Sequence, residues 1–99
     1  MTDIASTAET PLCNRLQEVR DLVGLLTPIP DMALLLHVPE RTLRDELDDL
    51  ASPVSLAYRE AKAQVALKLR SRDIELADAG SATAAENVSA YYRQMVREE

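Results

Sequence analysis

The stretch Asp31–Asp49, DMALLLHVPERTLRDELDD, decides how this chain is read. Met32, Leu35 and Leu36 recur at helical spacing and predict a short helix over Asp31–His37. Val38-Pro39 interrupts it, because proline disfavours helix in the residue before it. A second short helix is predicted from Pro39 to Asp48, with Leu43, Leu47 and Leu50 facing inward.

Two short helices about a tight break have the requirements of a helix-turn-helix. The first helix must pack closely behind the second, and Ala33 is small enough to allow it. The turn needs an apolar plug, which Val38 supplies, while His37 stands where such turns commonly carry glycine. Leu43 and Leu47 anchor the second helix. Its first turns then offer Arg41, Thr42 and Arg44 to base edges or phosphates, the major groove being wide enough to admit a helix. The same helix is acidic at Glu40, Asp45, Glu46, Asp48 and Asp49. On residues alone, it can equally serve as one wall of a helical bundle.

Upstream, Pro11 suits a first helical turn with Thr10 as its cap. Leu12, Leu16, Val19, Leu22, Val23 and Leu26 then form one apolar face. Thr27-Pro28-Ile29-Pro30 breaks the chain. Residues 1–10 are small, polar and aperiodic, the pattern of a disordered tail.

Downstream, Ser52-Pro53 reads as a cap and first helical residue, opening a helix of about 40 Å from Pro53 to Ala79. Gly80 ends it and Ser81 caps a last helix carrying Ala85, Val88, Tyr92, Met95 and Val96. The long helix has two apolar stripes. One comprises Val54, Tyr58, Ala61, Val65, Leu69 and Leu76, the other Leu56, Ala63, Leu67, Ile74 and Ala77. One can bury within the chain. The second, represented by Leu56, Ala63, Leu67 and Ile74, predicts self-association, since a bare stripe of that length invites a partner.

Charge is distributed in blocks. Residues 1–52 carry 4 basic and 10 acidic groups, residues 53–72 carry 5 and 1, and residues 73–99 carry 2 and 6. The positive band of Arg59, Lys62, Lys68, Arg70 and Arg72 can pair with acids within or between subunits, or contact phosphate. The net charge of -6 disfavours non-specific nucleic-acid binding.

The chain is too poor in aromatic residues for an aromatic core, having three tyrosines and neither Phe nor Trp. Cys13 is alone, which excludes an intramolecular disulfide and makes the cytoplasm the default compartment. No apolar run suits a membrane span, so no membrane association is expected. His37 reads as a turn residue and Cys13 as a small hydrophobe beside the first helical face. Neither has a spaced partner, so no metal site is expected. The acid pairs Asp48-Asp49 and Glu98-Glu99 lack a nucleophile or base beside them. No catalytic residue, cofactor or enzymatic activity is therefore expected. Of Tyr91 and Tyr92, one is expected in the core and the other on the surface.

The order of elements resembles the small subunit of tailed-phage terminases and related prophage DNA-packaging proteins. ALLLHVPERTLRDEL (Ala33 to Leu47) and SPVSLAYREAKAQVALKLRSRDIELADAGSATAAENVSAYYRQM (Ser52 to Met95) carry the resemblance. The most similar parts are Ala57, Tyr58, Arg59 and Lys62, and Ile74 to Ala84. The resemblance implies a non-enzymatic protein that recognises phage DNA, assembles into a ring and hands DNA to a separate large motor subunit in the bacterial cytoplasm.

The combined expectation is an all-α chain in three parts: a tail (1–10), a helix-turn-helix-like bundle (11–51), and a long helix with a C-terminal helix forming an α-hairpin for oligomerisation (52–99). Double-stranded DNA would meet Arg41, Thr42 and Arg44, with Arg59 and Lys62 on its backbone. The competing reading is a helical protein-interaction or assembly module that binds no DNA.

Overall fold

Prolines and left-handed residues set the helix boundaries in the computed structural model, which describes residues 11–99. The expected tail over 1–10 and the Thr10 cap lie outside the described residues. Those described are all-helical: one 3-10 turn, Leu12–Asn14, then α1 Leu16–Gly24, α2 Ile29–Leu36, α3 Glu40–Asp48, α4 Pro53–Asp78 and α5 Ala82–Arg97.

The first helix does not start at Pro11. Pro11 is extended (ψ 145°) and leads into the 3-10 turn, and Arg15 (φ -128°) separates that turn from α1. Helix α2 starts two residues before its expected position, because Pro30 falls in the first turn, where a missing N–H costs nothing. Pro39 is the residue before α3 rather than its first.

Three helices close in the same way. The N–H of Thr27 donates to Leu22 O and that of Leu26 to Val23 O; Val38 and His37 donate likewise to Ala33 O and Leu34 O, and Ser81 and Gly80 to Leu76 O and Ala77 O. This paired closure requires a left-handed residue at the helix end. Those residues are Leu26 (φ 63°), His37 (φ 61°) and Gly80 (φ 105°). Only the third is glycine. Gly24 lies within α1 and plays no such part.

Contacts divide the described residues into two compact units, 11–65 and 66–99. The division falls inside α4, whereas the expected boundary at 51/52 is the α3–α4 turn. In the first unit Leu12, Val19, Val23, Met32, Ala33, Leu36, Leu43, Val54 and Ala61 form the core, with Leu16, Leu22, Ile29, Val38, Leu47, Tyr58 and Val65 packed against it. The inward face of α2 is thus Ile29, Met32, Ala33 and Leu36. Leu35, expected inside, is exposed, as is Leu26 on its left-handed turn. Leu50 is exposed too, because the chain turns away at Asp49 (ψ 98°) before the helical period reaches it.

The α3–α4 turn is held by side chains. Ser52 Oγ accepts from the N–H of Val54 (3.1 Å), capping α4, and donates to Glu46 Oε1 (2.7 Å). Ser55 Oγ donates to Leu47 O (2.9 Å). Arg15 is buried; its guanidinium grips Glu18 through two nitrogens (2.7 and 3.0 Å) and donates to Leu36 O (2.7 Å).

In the second unit Ser81 Oγ caps α5 by accepting from the N–H of Ala84 (3.1 Å), and Ala84 is buried. The hydroxyl of Tyr91 donates to Asp73 Oδ2 (2.6 Å), which also accepts from Asn87 (3.5 Å).

Candidate nucleic-acid interface and exposed apolar faces

Helices α2 and α3 pack about the left-handed His37. Ala33 is buried between them, Val38 is half-buried at the turn, and Leu43 is wholly buried beneath α3. With Leu43 and Leu47 turned inward, Arg41, Thr42 and Arg44 stand exposed on the first two turns of α3. Arg44 is held by Glu40 one turn earlier (2.8 Å). Arg41 makes no ion pair among the described residues.

Helix α3 carries two arginines against Glu40, Asp45, Glu46 and Asp48. Glu46 is engaged by Ser52, and Asp49, just beyond the helix, accepts from the N–H of Ala51 (3.1 Å). Asp45 and Asp48 remain exposed. The electropositive part of the outer face is therefore confined to its N-terminal end.

The two basic residues expected on the phosphate backbone are engaged locally. Arg59 donates to Ser55 Oγ (3.2 Å) and to Leu50 O (3.1 Å), straddling the α3–α4 turn. Leu50 follows the C-terminal end of α3, so Arg59 stands at the opposite end of that helix from Arg41 and Thr42. The ammonium of Lys62 lies 5.4 Å from the centre of the Tyr58 ring, within cation–π range. The structure groups Arg41, Thr42 and Arg44 but sets Arg59 apart from them. Glu60, the one acid among residues 53–72, bridges to Arg20 of α1 (3.1 Å) and so pairs outside the positive band, a pairing that sequence spacing does not signal.

The apolar stripes of α4 part company along its length. Val54 and Ala61 are buried and Tyr58 and Val65 half-buried, but Leu69 and Leu76, expected to bury with them, are exposed. Leu56, Ala63, Leu67 and Ile74 are exposed throughout. In the second unit, Leu67 and Ile74 of α4 and Val88, Tyr92 and Met95 of α5 line a groove of about 540 Å³, bordered by Arg70 and Glu98. Tyr92 is exposed, whereas Tyr91 is half-buried and its bond to Asp73 holds the phenol pKa above its ordinary value. Cys13 is exposed rather than packed on the first helical face; in the 3-10 turn it is Leu12 that turns inward.

Leu26 and Leu35, expected inside, are exposed, and beside them Leu25 and Leu34, which belong to no expected apolar face, are exposed too. Positions 29, 32, 33 and 36 fill the full i, i+3, i+4, i+7 pattern of α2, of which 32, 35 and 36 fill only three places. Among the described residues, no group of three or more His, Cys, Asp or Glu side chains could hold a metal ion, and no helix is long and apolar enough to cross a membrane. No family model matches the chain, and neither a curated protein nor a solved structure matches it.

Proposed function

We propose that this chain is a non-enzymatic DNA-recognition and self-assembling protein of the terminase-small-subunit kind. In this reading α2, the His37 turn and α3 act as a helix-turn-helix, while α4 and α5 act as an assembly hairpin. One observation carries it: Ala33, Val38 and Leu43 are turned inward about a left-handed turn, leaving Arg41 and Thr42 open on the first turn of α3. Arg41 and Thr42 meet base edges or phosphates, and Arg44 joins them by exchanging Glu40 for a phosphate. Arg59 and Lys62 contact the backbone of double-stranded DNA. Leu56, Ala63, Leu67 and Ile74 mediate association between copies, and a large motor subunit of a packaging machine receives the DNA.

A mobility-shift assay at low salt tests the DNA step. Binding must weaken steeply as salt rises, because cationic side chains release counterions from DNA. Arg41→Ala is expected to weaken it more than Arg44→Ala, whose guanidinium is already occupied. No retardation at low salt overturns the DNA reading.

The second reading is an assembly module without DNA. The exposed Asp45 and Asp48 on the outer face of α3 favour it, since acids there repel phosphate. Self-association that persists with no retardation at any salt concentration would establish it.

A further inference from the structure

We infer that the second unit is a two-fold dimerisation face, on which α4 lies antiparallel to the α4 of a second copy with Ile74 at the axis. The inference rests on the self-association in the reading above and specifies its geometry.

Arg70, Ile74 and Asp78 are spaced four residues apart and so share one stripe of α4. All three are exposed, and neither Arg70 nor Asp78 has an ion-pair partner among the described residues. An antiparallel pairing centred on Ile74 sets each Arg70 against the Asp78 of the other copy and Ile74 against itself. Such a patch is complementary to its own image, which is the condition for a closed two-fold contact. A parallel pairing would set like charges together.

The sign change of α4 lies within the same segment. Lys68, Arg70 and Arg72 precede it, and Asp73, Glu75 and Asp78 follow. Antiparallel copies therefore bring the positive stretch of each helix towards Asp78 of the other, Asp73 being engaged by Tyr91 and Asn87 of α5.

The groove beside Ile74 supplies the apolar area. Leu67 (51% exposed), Ile74 (48%), Tyr92 (63%) and Met95 (56%) leave on the order of 400 Å² of apolar surface in one place, the upper end of what a lone domain tolerates. With Ile74 on the axis, Arg70–Asp78 pair helix to helix and Leu67 falls opposite Ser81, in the α4–α5 turn of the other copy.

Sedimentation equilibrium of the full chain tests this. The mass should double from 11.0 kDa with rising concentration. Arg70→Asp and Asp78→Arg should each weaken association by about tenfold, and the two together should restore it to within about threefold of the native chain. Ile74→Cys on a Cys13→Ser background should give a covalent dimer under mild oxidation. Circular dichroism checks that each variant keeps its helix, which is expected because all of these positions are exposed. A single-copy mass at every concentration overturns both this pairing and the broader self-assembly. Association that is lost with Leu56→Asp but unmoved by Ile74→Asp, a double reversal no better than its singles, or no covalent dimer from Ile74→Cys overturns this pairing alone. DNA retardation is read separately and bears only on the DNA step.

Discussion

Arg15 reaches Leu36 across 21 positions of sequence, donating to its carbonyl oxygen at 2.7 Å. This bond satisfies one of the carbonyls left over at the end of α2, just where the chain enters the His37 turn. The end of α2, from which the chain turns towards the candidate recognition helix, is thus tied to a side chain that precedes α1.

Replacing Arg15 by Met should therefore cost about 1–3 kcal/mol, the range for leaving a buried polar group unsatisfied. Urea denaturation measures it. Glu18 should matter less, because its carboxylate is half exposed and solvent screens the pair. The hydrogen bond from Arg15 holds the Glu18 pKa below its ordinary value, with the Arg15 charge acting in the same sense against the effect of burial. The sign follows: the pair stabilises the fold above the ordinary carboxylate range and loses that effect as pH falls through the depressed value. Glu18→Gln should flatten this part of an acid titration of stability.

Leu26 and His37 occupy left-handed positions that cost a side chain about 1–2 kcal/mol, against about 0.5–1 kcal/mol for the extra freedom of glycine when unfolded. Both are exposed, so no packing is lost. Leu26→Gly and His37→Gly should each stabilise the chain by about 0.5 kcal/mol. Gly80→Ala should destabilise it, since φ 105° is strained for alanine even in open space. Thermal melts of the three variants decide this.

Leu43→Ala should cost about 2–5 kcal/mol, because Leu43 is wholly buried under α3. Leu35→Ala and Leu50→Ala should stay within about 0.5 kcal/mol, both being exposed. Equal losses at all three positions would contradict the inward face described for α2 and α3.

Tyr91→Phe should speed amide exchange in α5 and in residues 66–78 while leaving α1 to α3 unchanged. The hydroxyl's bond to Asp73 raises the Tyr91 pKa. The contribution of this bond is complete below the ordinary tyrosine value and fades as pH climbs through the raised one. An alkaline titration of exchange rates should show the native chain converging on the variant.

The parts of this fold readable from the residues are those governed by local rules. Ser52 and Ser81 cap where their positions before helical runs imply, and Gly80 takes the left-handed angle expected of it. His37 was recognisable as standing in a glycine's place. Leu26 was not, because nothing local marks a leucine for a left-handed turn, and its spacing continues the apolar face of α1. Leu35 lies in a run of three leucines, where a shift of one position reverses which side faces the core, and Leu50 lies beyond Asp49, where the helical period no longer holds. At the candidate interface, the exposure of Arg41, Thr42 and Arg44 followed from Leu43 and Leu47 once these turned inward. The engagement of Arg59 with Leu50 and of Arg20 with Glu60 did not, since long-range partners leave no periodic trace.

Helix α4 passes from a stretch pinned by Val54, Ala57 and Ala61 to one whose leucines face outward. One continuous helix should therefore have two lifetimes. Its early backbone protons open only when the core around Met32 and Leu43 opens, while those past Val65 open through brief local fraying. Any surface that covered Ile74 would slow the later ones first, so exchange kinetics at the two ends of a single rod can register an encounter between molecules.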